Sequence, residues 1–192
     1  MQPQDSAEPL SRFFIALVPP QPVQDYANQV KQVFRDRFHS KAAFRSPPHI
    51  TLQPPFQWPE RDRDTLTAAL TKFAASQQSL PIMLDGFAAF PPRVIYIDVV
   101  KSPELMALKP ALMDFTEAQL GLIDKKDRNR PFKPHLTVAF RDLKPAAFRR
   151  AWPEFESQPV HFEFMAEALT LLRHSGQRWE VFGQVPLQNS AD

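Results

Sequence analysis

Apolar and polar positions along the chain fall into two periods, and those periods predict its elements. "RFFIALVPP" (12–20) is a short apolar run closed by a proline pair, the pattern of a buried strand. In "QPVQDYANQVKQVFRDRF", Val23, Tyr26, Val30, Val33 and Phe34 recur at three- and four-residue steps, which predicts an amphipathic helix. "HITL" reads as a strand. "PERDRDTLTAALTKFAA" reads as a helix with Pro59 near its start and acidic residues in its first turn, and "LPIMLDGF" (80–87) as a strand. The pattern then restarts. "RVIYIDVV" (93–100) has the β-branched density of a strand. "SPELMALKPALMDFTEAQLG" predicts a helix capped by Ser102, opened by Pro103, ended at Gly121, and kinked or broken at Pro110. "PHLTVAF" is the next strand and "KPAAFRRAWPEF" a short helix. "VHFEFMAEALTLLRH" and "RWEVFGQVPL" supply closing strands.

The order β-α-β-α-β thus occurs twice, and each half carries the same short phrase after its first helix. Pro-His-Ile-Thr stands at 48–51 and Pro-His-Leu-Thr at 134–137. In a strand, His and Thr at i and i+2 share a face, so two pseudo-symmetric lobes across a cleft would bring together His49, Thr51, His135 and Thr137. Pro48 and Pro134 fix the backbone just before each His. Two imidazoles suit concerted proton transfer near neutral pH, one taking a proton while the other gives one. Hydroxyls beside them can hold the oxygens of a phosphate. Such a scheme uses no metal and no cofactor.

Composition narrows the chemistry further. A chain of 192 residues, 43% hydrophobic with 17 Phe, can bury a substantial core. The absence of cysteine removes disulfides, thiolate metal ligands and thiol nucleophiles, and fits a reducing, cytoplasmic setting. A net charge of +2 is too weak for a dedicated duplex binder, so any nucleic-acid substrate is expected to be small or single-stranded. No apolar run is long enough to span a membrane. Residues 1–11 are expected to be a disordered leader, 12–187 one bilobal domain with lobes of approximately 12–90 and 91–187, and 188–192 a tail. The chain is expected to be a monomer.

The paired His-x-Thr-apolar phrases, one per half, resemble the 2H phosphoesterase superfamily, which includes the RNA 2′,3′-cyclic phosphodiesterases known as 2′-5′ RNA ligases. The resemblance extends over residues 12–187, with Phe13, Phe14, Phe56, the "DGFAAFPPRVIYIDV" hairpin and Phe132 as matching flanks. It implies an α+β, bilobal, pseudo-two-fold fold with an antiparallel sheet in each lobe, flanking helices and a central cleft. It also implies hydrolysis of a 2′,3′-cyclic phosphate on an RNA end or small nucleotide to a 2′-phosphate, with 2′-5′ ligation when a 5′-hydroxyl replaces water. His49 is then the general acid and His135 the general base. Many relatives carry Arg five residues after the second His; here Phe140 stands there and Arg141 follows. Strict alternation puts Arg141 on the His135 face as a phosphate clamp, whereas a bulge removes it.

Other candidates are less specific. Lys133, Arg45 and Arg93 flank the motifs or open a strand and are candidate contacts for an anionic substrate, and Tyr96 is a candidate stacking partner for a base. "DKKDRNR" (124–130) is expected to be a charged loop, either a rim of the site or a solvated connector. His39, His161 and His174 stand alone. The rival readings are a phosphodiesterase acting on another cyclic or 2′-5′-linked nucleotide, a nucleotide- or RNA-binding module without chemistry, and a metal site at His49 and His135. The last is disfavoured because neither motif has a second His or a carboxylate at helical spacing.

Overall fold

Residues 8–189 are described by a computed structural model. The first half runs β1 (Leu10–Leu17), α1 (Gln21–Phe38), β2 (Ile50–Pro59), α2 (Arg63–Ala74) and β3 (Leu80–Phe90). The second runs β4 (Val94–Val99), α3 (Pro103–Leu120), α4 (Lys125–Arg128), β5 (His135–Ala139), α5 (Pro145–Glu156), β6 (His161–Ala166), β7 (Ala168–His174) and β8 (Trp179–Pro186). Single 3-10 turns at Ala42–Arg45 and Glu60–Asp62 precede β2 and α2. The strands form one curled antiparallel sheet in the order β6-β3-β4-β5-β2-β1-β7-β8. Its two four-stranded halves meet where β2 pairs with β5 through a single register pair, Ile50 with Leu136. Both of those side chains are fully buried.

Alternation along the strands divides the sheet into two faces. Phe13, Ile15 and Leu17 pack with Val30 and Phe34 of α1, Leu66 and Leu70 of α2, Leu108 and Leu112 of α3, and Phe148 of α5. Phe14 and Ala16 lie on the opposite face, with Leu172 and Trp179. The helices therefore occupy one face and leave the other open. Across the junction, α1 packs on β5 and α3 on β2, so each helix braces the half it did not come from.

Two buried lysines serve backbone carbonyls beside the first motif. The β1–β2 register passes from Ile15–Gln53 to Ala16–Thr51, leaving Leu52 as an extra residue on β2. Its carbonyl accepts from Lys109 Nζ at 3.1 Å. Lys31 Nζ donates to Ser46 O at 3.0 Å, and burial pushes this ammonium down to about 8. A buried ammonium is tolerated only with such partners.

Several expectations need correction. β1 begins at Leu10, inside the expected leader, of which residues 1–7 lie outside the described residues; Gln188 of the expected tail bonds to Gln77 and Ser79 through its backbone. Strand pairing does not follow a division at 90/91. A short turn makes β3 and β4 an antiparallel hairpin across that point, β6 pairs with β3, and β7 returns to pair with β1. Of the kink or break expected at Pro110, the break does not occur: helix α3 continues past it, since Leu105, Leu108, Leu112 and Met113 are buried on both sides, and that burial outweighs the cost of one proline, about 3 kcal/mol. Residues 124–130 hold α4, capped by Asp124, with Asp127 paired to Lys109 and Arg128 to Asp114 and Glu117.

The seam predicts an uneven stability map. Leu136→Ala, at a fully buried position of the single β2–β5 pair, should destabilise by about 2–5 kcal/mol, whereas Ser102→Ala, which removes only the cap bond to Leu105 N, should cost about 1 kcal/mol. Denaturant unfolding checks both, and equal losses would remove the seam's special weight.

Candidate functional site

The β2–β5 seam places the two motifs side by side on the open face. His49, Thr51, His135 and Thr137 all line one cleft of about 700 Å³. Each imidazole is oriented in the same way. His49 Nδ1 lies 2.7 Å from Pro47 O, and His135 Nδ1 lies 2.7 Å from Lys133 O. A carbonyl only accepts, so Nδ1 carries the proton in both rings and Nε2 is left for a substrate. The proline of each motif sits between the accepting carbonyl and the histidine, fixing the backbone that makes this two-residue return.

Aromatic rings back both imidazoles. Phe14 packs on His49 with ring centroids 4.7 Å apart; Phe90 and Tyr96 pack on His135 at 5.2 and 5.1 Å. Burial is accordingly the main reason both groups favour the neutral form. His49 is pushed down to about 4, with the positive charges of Lys31 and of His135 adding to the burial and the Pro47 carbonyl opposing it. His135 is also lowered by burial, but the Lys133 carbonyl and the charge of Asp98, its register partner on β4, oppose the shift. The two rings are thus matched in geometry and unequal in proton affinity.

Beyond the four motif residues, the cleft has two wings. One holds Arg12, Phe14, His174 and Trp179, with the Arg12 guanidinium 5.3 Å from the Trp179 ring centre. The other holds Lys41, Arg45, Phe140, Arg141 and Asp142. Among the described residues, Arg12, Lys41, Arg45 and Arg141 have no ion-pair partner, unlike Arg35, Arg37, Arg128 and Arg173. No group of three or more His, Cys, Asp or Glu side chains among the described residues is arranged to hold a metal ion.

The other sequence candidates divide. Arg45 and Arg141 line the cleft; Arg141 reaches it from a turn after β5 ends at Ala139, so strand alternation is not what sets its direction. Lys133, Arg93 and Tyr96 are not among the lining residues. The Lys133 ammonium lies 5.9 Å from the Phe90 ring centre, and only its carbonyl serves the site, through His135. Arg93 is exposed in the β3–β4 turn. Tyr96 is 7% exposed, wedged between Phe90 and His135, which leaves it supporting a ring rather than open to a base. Residues absent from the sequence reading are Arg12, Lys41, Asp98, Asp142 and Trp179, together with His174, which stood alone there. They come from β1, β4, the turns and the last strands, and no spacing relates them to the motifs.

Comparison with known proteins agrees with this architecture. A model of the 2′-5′ RNA ligase superfamily matches residues 19–178. A protein of Geobacillus kaustophilus named "Putative phosphoesterase GK0864" is 32% identical over 163 residues, covering 84% of this chain and 87% of its own. Among solved structures, TT0787 of Thermus thermophilus superposes with a TM-score of 0.68 at 22% identity, covering 94% of this chain and all of that one. Escherichia coli LigT complexed with 3′-AMP gives 0.69 at 19% identity, covering 93% and 99%. At those identities the structures speak for the fold, whereas the family match and the sequence relative reach further: the chain belongs to the 2′-5′ RNA ligase superfamily of 2H phosphoesterases.

Proposed function

We propose that this protein hydrolyses 2′,3′-cyclic phosphate at RNA or oligonucleotide ends to a 2′-phosphate, without a metal, and that 2′-5′ ligation is the same ring opening with a 5′-hydroxyl in place of water. One observation carries the reading: two imidazoles in one cleft, each with Nδ1 held by a carbonyl two residues back and each with a threonine beside it on the cleft wall. The binding of 3′-AMP by LigT, a chain of this fold, supports a nucleotide as substrate.

In the proposed step, His135 takes a proton from water as its oxygen attacks phosphorus, and the bond from phosphorus to the 3′ oxygen breaks as His49 protonates that oxygen. Entering and leaving oxygens lie in line, which suits one imidazole from each half of the sheet. Asp98 beside His135 strengthens it as a proton acceptor, and a weakly basic His49 is a strong proton donor once a phosphate anion has loaded it. Thr51, Thr137 and Arg141 hold the non-bridging oxygens. Phe14 and Trp179, rather than Tyr96, offer the base a surface on which to stack.

Turnover of nucleoside 2′,3′-cyclic phosphates in the presence of a chelator tests the reading, with 3′,5′-cyclic and 2′-5′-linked nucleotides beside them to expose a different substrate. His49→Ala and His135→Ala should each lose about 10²-fold or more, and the double variant little more than the worse single, because the pair acts as a unit. A fully active His135→Ala would end the two-histidine mechanism. No turnover together with intact nucleotide binding would favour a binding module.

Because both imidazoles are lowered and the reactive form carries one proton between them, kcat/KM should be bell-shaped with both limbs below the ordinary histidine value of about 6.5. Below the acid limb both rings are protonated and no base remains; above the other both are neutral and no acid remains. Bound phosphate raises both proton affinities, so the kcat optimum should lie at higher pH than that of kcat/KM. Steady-state rates across pH measure this, and a kcat/KM that climbs steadily to pH 8 would contradict it.

The roles of the two histidines separate through the leaving group. A substrate with a far better leaving group at the 3′ position needs no acid, so it should rescue His49→Ala much more than His135→Ala. Rescue in the opposite order would exchange the roles.

A further inference from the structure

Among the described residues that line the cleft, Asp142 is the one acidic side chain. One carboxylate oxygen accepts from Ser40 Oγ at 2.8 Å, and the other accepts from the backbone N–H groups of Lys41 and Ala42 at 2.7 and 2.9 Å. These partners lie about a hundred residues earlier in the chain, and Ser40 is 1% exposed. Lys41 and Ala42 open the 3-10 turn that carries Arg45 and leads through Ser46 and Pro47 to His49. Asp142 therefore joins the exit of the second motif to the entrance of the first.

The residue before it explains why such a tie is needed. Arg141 and Asp142 are the central residues of a turn closed by Leu143 N–H to Phe140 O at 3.1 Å, and Arg141 has φ of +20°. A turn with positive φ at its first central position favours glycine, asparagine or aspartate, not arginine. Such a conformation persists where surrounding bonds over-determine it, and it is found preferentially at functional sites. Here the guanidinium lies 4.8 Å from the Phe140 ring centre and lines the cleft. The sheet gives little help, since the halves share one register pair at this point.

We propose that Asp142 is a positioning residue: its carboxylate holds the Arg141 turn and the lead-in to His49 in one geometry across the seam, so that the guanidinium and both imidazoles address the same phosphate. This rests on reading the cleft as a phosphoester site. It assigns Asp142 no contact with substrate and no proton transfer.

The test is a double-mutant cycle of Arg141→Ala and Asp142→Ala, with Asp142→Asn as the conservative variant. Asp142→Ala should lower kcat/KM by roughly 10- to 100-fold, the scale of an ångström-sized misplacement. Combining it with Arg141→Ala should cost no more than the worse single change, because both remove the same placed guanidinium. Asp142→Asn should recover most of the loss: an amide oxygen still accepts the two N–H groups, and the Ser40 hydroxyl can turn to accept from the amide nitrogen. Should Asp142→Ala not fold, Asp142→Ser takes its place, and thermal melts of every variant separate global unfolding from misplacement. Wild-type kcat/KM in Asp142→Ala, losses that multiply in the double variant, or an Asn variant as poor as Ala would each overturn the proposal. The same cycle read by calorimetry as affinity for a nucleoside 2′-monophosphate keeps the two readings apart. A wild type that binds this probe without turning over cyclic phosphate ends the proposed reaction, and Asp142 is then judged on affinity alone. A wild type that does neither ends both.

Discussion

The site depends on the seam between β2 and β5. Eight strands are continuous in pairing order, yet the two halves share only the Ile50–Leu136 register pair at their junction. That meeting point sets one histidine next to each of those residues, on the face the helices leave open. A ladder one pair long cannot by itself hold two imidazoles in a fixed relation. The helices supply the rest, with α1 packed across β5 and α3 across β2, and Lys109 reaching from α3 to the free carbonyl of the β2 bulge.

Electrostatics at the seam has a single theme. Positive charge accumulates around two rings that burial already keeps neutral: Lys31 weighs on His49 and Lys109 on His135, while the cleft rim carries Arg12, Lys41, Arg45 and Arg141, none of them ion-paired among the described residues. A cleft so furnished is poised for an anion, because a phosphate supplies the negative charge that the fold withholds. Asp98 and Asp142, the acidic side chains near the rings and the rim, act differently. Asp98 stands opposite His135 and favours its protonation, whereas the Asp142 carboxylate is engaged by a hydroxyl and two backbone N–H groups.

Local patterns gave the elements where the physics is local. The three- and four-residue steps of Val23, Tyr26, Val30 and Phe34 mark α1 because those side chains share the face packed on the core, and Ser102 caps α3 through its own hydroxyl, bonded to Leu105 N. Local rules failed where tertiary packing overrode them. Pro110 sits inside an unbroken helix, and the charged stretch 124–130 is tied down by Lys109, Asp114 and Glu117 rather than left as a loop.

The sequence by itself determined the chemistry-bearing pairs, because His and Thr two apart in a strand face one way whatever surrounds them, and a proline before each His constrains the backbone that turns Nδ1 onto a carbonyl. The family was legible in the same eight residues, since the motif is a local pattern repeated. Which other side chains reach the cleft was decided by tertiary structure alone. Trp179 and His174 arrive because the last strands return to β1, Tyr96 is taken up in packing behind His135, and Arg141 enters from a turn rather than a strand. Those placements depend on pairings between residues far apart in the chain, and nothing in the spacing of letters encodes where a strand will find its partner.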